Sequence, residues 1–269
     1  MRRTIAIATF FLLSACSCAA TPSSAITNCQ DIQNLPNGDL LLFGEVHGSS
    51  EAPALVFQLA CSISRSQEVA VGLEIPSNDQ PLIDSYLTSD GSKANQAKLI
   101  SSDFWQRSMD GRSSVAMLKL IENVRALRNK GFHVNVFAFD DQPGTNLERN
   151  VAIADGIRRF RASHQNSRII ALMGNLHAMN EPMQFDGKEL VPSGSLLKDL
   201  HPISVFIAYP AGKIWACMPT CGIQPLEASR DATGAPGFKD GSPIGGYTYT
   251  YLLPSLTASP PAALDGQNG

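Results

Sequence analysis

Short, unbroken apolar runs alternate along this chain with longer stretches in which apolar residues return at helical spacing. The runs are Leu40 to Phe43, Val69 to Gly72, Val134 to Phe139, Ile169 to Met173 and Ile203 to Ala208. Each is short for a buried helix and too continuous for a strand with one wet face. Each therefore predicts a strand buried on both sides, as in a parallel sheet. Between them, Ala54, Leu55, Leu59 and Ile63 mark a helix within Ser50 to Ser66, and Asp79 to Leu87 predicts another. Val115, Leu118, Ile121, Val124 and Leu127 form a stripe over Ser113 to Asn129, stopped by Gly131. Thr145 to Glu148 is a capping-box pattern, in which the Thr hydroxyl and the Glu carboxylate satisfy the first free amides of a helix reaching Phe160. Strand alternating with helix predicts an α/β fold, a mainly parallel sheet flanked by helices, because parallel neighbours need long crossovers.

The remaining segments are less regular. Gly91 to Ser108 is expected to be an irregular or helical insertion with Phe104 and Trp105 as its heaviest apolar residues. Ser193 to Leu200 predicts a short helix, and Lys213 to Cys217 and Tyr247 to Leu252 predict strands of an appended hairpin or edge. Tyr247, Tyr249 and Tyr251 alternate with Thr, so their rings are expected on one face as ordinary strand packing. Pro254 to Gly269 is polar and Pro-rich and is expected to be disordered.

The first residues change the picture by adding an address. Arg2 and Arg3 precede an apolar core, Ile5 to Leu13, and then Leu13-Ser14-Ala15-Cys16. That is a secretory signal rather than a membrane span, which needs about 20 apolar residues. Leu-Ser-Ala-Cys resembles the bacterial lipoprotein box, which makes Cys16 the lipid-modified first residue of the mature chain. Ser17 beside it suits outer-membrane sorting, with the domain facing the periplasm; the alternative is cleavage after Ala20 or Ala25 and a soluble periplasmic protein. The expected organisation is a signal peptide over 1–15, a tether over 16–37, one domain over 38–253 and a tail over 254–269. The membrane is then a partner through the lipid anchor alone.

Of the 269 residues 43% are apolar, enough for one large core. Loss of residues 1–15 removes two arginines and no acids, moving the formal charge from −3 to −5. Nothing in that balance points to a nucleic-acid partner. An oxidising compartment permits disulfides; Cys217 with Cys221 is the nearer pair, and Cys29 with Cys61 a second. Zinc at Cys217 and Cys221 lacks a second Cys or His pair nearby.

The candidate chemistry collects at the carboxyl ends of the predicted strands. Glu45 and His47 follow the first, Glu74 ends the second, Asp140 and Asp141 end the third, and Asn175 and His177 follow the fourth. In open α/β sheets ligands bind at that edge. Glu45 and His47, two residues apart on extended chain, share a face. A carboxylate after Val-Gly-Leu is costly to bury without a role, which singles out Glu74. His133, His164 and His201 have no such setting. Arg107, Arg112 and Arg149 could take an anion, although a solvated position is the default for each.

Three chemistries are open: Glu45, His47, Glu74 and His177 could hold a divalent metal, work without metal as an acid-base set with His47 the general base, or line a ligand pocket with Asp140, Arg112 and Asn175. There is no GxSxG, HExxH, phosphate-loop, GxGxxG or CxxCH motif, so the standard serine hydrolase, zincin, nucleotide-enzyme and c-type cytochrome classes are set aside.

GEVHG at 44–48, GLEIP at 72–76 followed by Asp79-Gln80-Pro81-Leu82, Trp105 before Asp110-Gly111-Arg112, and GNLHA at 174–178 resemble the superfamily joining ChaN-type haem-binding lipoproteins, Tiki metalloproteases and erythromycin esterases. The resemblance spans Leu40 to Ala208, and the ChaN-like branch is the nearest through its GEVHG start and lipoprotein address. It implies an α/β domain and haem binding in iron uptake, with a tyrosine as the haem ligand. The esterase and protease branches imply instead a hydrolase of small-molecule or peptide substrates built on Glu45, His47, Glu74 and His177.

Overall fold

A computed structural model describes residues 29–141, 144–230 and 232–265. The expected signal peptide, Cys16 and most of the tether lie outside these residues. In chain order the elements are β1 (Leu40–Glu45), α1 (Glu51–Ile63), β2 (Val69–Pro76), α2 (Gln80–Leu87), α3 (Lys93–Leu99), α4 (Asp103–Arg107), α5 (Val115–Asn129), β3 (Val134–Asp140), α6 (Asn146–Ser163) and β4 (Arg168–Gly174). They continue with α7 (Asn175–Ala178), β5 (Met183–Phe185), β6 (Lys188–Leu190), α8 (Ser193–Leu196), β7 (Ile203–Ala208), β8 (Gly212–Cys217), β9 (Cys221–Leu226), β10 (Gly237–Asp240), β11 (Tyr249–Leu252) and α9 (Ala262–Asp265).

The main sheet has seven strands in the order β10-β11-β7-β1-β4-β2-β3, all parallel except β10. The chain leaves β1 for β2 and β3, then returns to lay β4 between β1 and β2, and goes on to β7 on the other side of β1. That reversal puts the carboxyl ends of β1, β4 and β2 side by side, with Glu45 in register with Gly174. The predicted α/β class is the observed one. Leu40 and Leu42 face one apolar cluster with α6, and Leu41 and Phe43 face the other with α1 and α5. Both faces of β1 are buried, which accounts for its unbroken apolar run.

Three departures from the sequence expectations matter. Tyr247 does not share a face with Tyr249 and Tyr251: it belongs to the α6-side cluster, whereas they pack against the opposite one. The reason is that β11 begins only at Tyr249, so the strand alternation never reaches Tyr247. The expected disordered tail is instead laced to the domain as far as Asp265. Ala258 bridges Ser49 and Pro261 bridges Ser114, and the Glu51 carboxylate accepts from the Thr257 amide at 2.9 Å. Low local hydrophobicity underlies the expectation of disorder, but long-range backbone hydrogen bonds hold this segment. The end of the expected tether is likewise pinned: Cys29 is disulfide-bonded to Cys61, and Arg65 donates to the Cys29 carbonyl at 2.9 Å. Cys217 and Cys221 form the second bridge, at the turn joining β8 and β9. Among the described residues no helix is long and apolar enough to cross a membrane.

Candidate active site

Each strand that ends at the switch point delivers one side chain. β1 ends in Glu45, and His47 turns back so that its Nδ1 lies 3.0 Å from Glu45 Oε1. The β2–β3 register slips between Leu73 and Pro76, an irregularity centred on Glu74, as bulges beside sites do. Glu74 is buried at the centre of the group: its Oε2 accepts from the Gly174 amide at 2.6 Å and lies 3.5 Å from His47 Nε2. Its Oε1 accepts from Arg149 and lies 3.5 Å from Arg112 Nη1 and 3.9 Å from His177 Nε2. A Cβ at Gly174 would stand 3.1 Å from His47 Nε2 and 3.5 Å from Glu74 Oε2, so glycine here gives the two side chains their room.

The third strand end supplies a counter-ion. Asp140, fully buried, accepts from Arg112 Nη1 at 2.6 Å and from Arg149 Nε at 3.0 Å and Nη2 at 2.9 Å. Arg112 in turn reaches Asp110. The fourth strand leads into α7, a single turn that carries His177. Asn150 Oδ1 lies 2.8 Å from His177 Nδ1 and also accepts the Ser193 amide at 3.0 Å, while Asn150 Nδ2 donates to the Asn146 carbonyl. The amide orientation is thereby set, and Nδ1 of His177 must carry the proton, leaving the lone pair on Nε2.

The two imidazoles are therefore in opposite states. Burial alone would push His47 down, but the Glu74 charge and the hydrogen bonds to Glu45 and Glu74 outweigh it and raise its pKa to about 10. Burial lowers the pKa of His177, reinforced by Arg149 and His47 against the pull of Glu74 and Asp140. Glu74, although burial opposes ionisation, is held well below the usual carboxylate range by His47, His177 and Arg112. Glu45 is pushed up by burial, and its Oε2 has no hydrogen-bond partner among the described residues. At neutral pH His47 is a cation and His177 a neutral base. The expectation that His47 is the general base thus meets the opposite arrangement.

The structure brings together Glu45, His47, Glu74, His177, Asp140 and Arg112 of the expected residues. Asn175 enters through its backbone carbonyl, which accepts from Tyr247, rather than as a ligand-binding side chain. Asp141 turns away to Ser77 and Arg159, and among the described residues Arg107 pairs with Asp103. Arg149, named only as an arginine that could take an anion, is part of the cluster, and Asn150 is the residue that sequence reasoning missed. They stand one helical turn after the Thr145 cap, and placing α6 over the carboxyl edge would have been the signal to look for them. The cluster is open to solvent only in part, through His47 at 21%, Arg149 at 23% and His177 at 17% side-chain exposure. A cleft of about 450 Å³ elsewhere, beside the outer edge of β3, shares no lining residue with it.

Among the described residues no set of three His, Cys, Asp or Glu is arranged to hold a metal ion. Glu74, the central acid of the expected set, is paired with the guanidinium groups of Arg112 and Arg149, beside which a dication would be repelled. The expected metal set of Glu45, His47, Glu74 and His177 does not fit. The haem ligand that the resemblance implies is a tyrosine. Tyr247 is buried with its hydroxyl donated to Asn175.

The fold recurs in solved structures. The chain matches a succinoglycan biosynthesis protein with a TM-score of 0.59 and 10% identity over 83% of this chain and 89% of that one. It matches an erythromycin esterase mutant, EreC, in its open conformation with a TM-score of 0.54 and 12% identity over 81% and 91%. At such identities the likeness establishes a shared fold, and it is at that level that the expected kinship with erythromycin esterases is seen. A structure of cofacial heme binding to ChaN of Campylobacter jejuni matches 64% of this chain and 82% of that one with 14% identity and a TM-score of 0.38, too low to bear on haem here. No family model and no curated protein matches the chain.

Proposed function

We propose that the chain is a hydrolase that activates water by acid-base chemistry at the carboxyl edge of β1, β2 and β4. The observation that carries this is the placing of two imidazoles on either side of one buried carboxylate, His47 Nε2 at 3.5 Å from Glu74 Oε2 and His177 Nε2 at 3.9 Å from Glu74 Oε1. His177, neutral and oriented by Asn150, takes a proton from water through Nε2 as that water attacks a carbonyl carbon. His47, a fixed cation, faces the negative charge that develops on the carbonyl oxygen. Glu45, its carboxyl pushed toward the protonated form, gives its proton to the leaving-group oxygen as the bond to the carbonyl carbon breaks, and solvent then takes the proton from His177 and restores that of Glu45. The charges of His47, Arg112 and Arg149 are balanced by Glu74, Asp140 and Asp110, so the site has no surplus charge to recruit an ion. The substrates it suits are neutral esters or lactones.

We also propose that the protein works in the cell envelope after export, anchored through Cys16. Two disulfides in the described domain support an oxidising compartment.

The test is hydrolysis of a panel of neutral aryl esters and lactones by the purified chain, with and without chelator, beside an ultraviolet-visible titration with haem. Turnover that survives chelation and falls by roughly a hundredfold or more in His177→Ala is expected. A saturating Soret shift without turnover would replace this reading with the haem-binding role that the sequence resemblance implies.

A further inference from the structure

We infer that the buried hydroxyl of Tyr247 is a positioning group for His177, acting through the backbone of α7. The inference rests on the reading of His177 as the base. With four residues, α7 is too short to satisfy its carbonyls by its own helical bonds. Side-chain hydroxyls from three other parts of the chain do so instead. Tyr247 donates to the Asn175 carbonyl, Ser193 to the His177 carbonyl at 2.7 Å, and Ser204, buried in β7, to the Ala178 carbonyl at 2.7 Å. The Asn180 amide, just beyond, donates to the Gly246 carbonyl at 2.8 Å, next to Tyr247 in the chain.

The path of Tyr247 to this turn is built into β1. A Cβ at Gly44 would overlap the Tyr247 hydroxyl, so the phenol crosses the sheet edge only because that position is glycine. Gly44 is the residue before Glu45. One backbone position thus serves both halves of the site: it ends the run that delivers Glu45 and His47, and it admits the ring that fixes the turn bearing His177. A phenol buried this deeply, whose burial pushes its ionisation up, stays a neutral donor at every working pH. The ring packs beside Phe206, their centroids 5.4 Å apart and their planes tilted by 59°.

The clamp fixes which His177 nitrogen carries the proton. The Nδ1 to Asn150 contact holds only while α7 keeps its place, and the charged groups that face the ring are Glu74, Arg149, His47 and Asp140. If the turn drifts, the ring is free to exchange tautomers and the lone pair leaves the site.

Tyr247→Phe removes the one hydroxyl and keeps the ring. The readout is the 15N spectrum of the His177 side chain in the full-length labelled protein at fixed pH, assigned with His177→Gln. Wild type should show a protonated Nδ1 and a bare Nε2. In Tyr247→Phe the two shifts should move toward each other, with kcat for an aryl ester lowered roughly tenfold and KM unchanged. Tyr86→Phe, which removes a hydroxyl bonded to Glu122 at 2.6 Å away from the site, should leave both readouts as in wild type. If Tyr247→Phe does not fold, Ser193→Ala tests the same clamp at the His177 carbonyl. A 15N pattern unchanged in the variant overturns the inference. Absence of turnover in wild type would defeat the hydrolase reading alone, because the spectrum still decides the clamp.

Discussion

The two edges of the central sheet use arginine in opposite ways. At the amino edge, Arg161 donates to the carbonyls of Asp39 and Ser167, both at 2.7 Å, and Arg168 to those of Gly38 and Pro36. Burial lowers the pKa of both guanidinium groups, with only the distant pull of Asp39 against it. At the carboxyl edge, Arg112 is matched to Asp110, Glu74 and Asp140 and Arg149 to Asp140 and Glu74, and these carboxylates raise their pKa values although burial opposes it. Backbone carbonyls cannot change charge, so the amino edge is a fixed brace. Carboxylates and imidazoles can, so the carboxyl edge is a coupled set in which moving one proton alters the energy of every other. Function sits at the edge whose charges can answer to one another.

The sharpest way to break this contrast is at its centre. Glu74→Gln leaves Arg149 and His47 buried without their shared partner, and equilibrium denaturation should show a loss of about 3–5 kcal/mol, the range for breaking a buried ion pair from one side. Activity should vanish with it, since His47 then loses the charge that keeps it protonated. A stability change under about 1 kcal/mol would mean that the network is not coupled as described.

Next in size is the pH dependence. His47 has a folded pKa raised to about 10 from 6.5, so its contribution to stability is fully present below about pH 6.5 and is lost as pH rises to 10. Allowing for a fifth of the ring being open to solvent, that loss is on the order of 3 kcal/mol, and it should be absent in His47→Gln. Glu74 contributes in the opposite direction: its lowered pKa gives stability that is present above about pH 4.5 and lost in stronger acid. Turnover should rise through the depressed His177 pKa, below 6.5, and fall near 10 as His47 loses its proton.

The smallest effect tests the other edge. Arg168→Ala removes hydrogen bonds to two carbonyls and should cost about 1–3 kcal/mol in stability while kcat and KM stay at wild-type values. A change in turnover there would show that the brace and the site are not separate.

Much of this was legible in the chain itself. Unbroken apolar runs are what two-sided burial requires, so the parallel sheet followed from Leu40 to Phe43 and its counterparts, and a parallel sheet sends every run's last residue to one edge. Glu45, His47, Glu74 and His177 were therefore visible as a group from spacing alone. Their roles were not. His47 and His177 occupy like positions after like strands, and only the tertiary neighbours separate them: the Glu74 charge and hydrogen bonds to Glu45 and Glu74 hold one protonated, while burial and two cations keep the other neutral.

Asn150 and the parts played by Arg149 and Tyr247 were hidden for the same physical reason. A residue on a helix face or ahead of a strand carries no local mark of what it meets, and these three reach the site from α6 and from the residues before β11. The sequence by itself determined the sheet, its buried strands and the acids and histidines at their ends, because burial and alternation are properties of neighbours in the chain. Only the tertiary structure decided which charges pair, which imidazole keeps its proton and which hydroxyls fix α7. Electrostatic energy depends on distances of a few ångströms between groups far apart in sequence, 75 residues for Arg149 and Glu74, 72 for Tyr247 and Asn175 and 100 for Glu74 and Gly174.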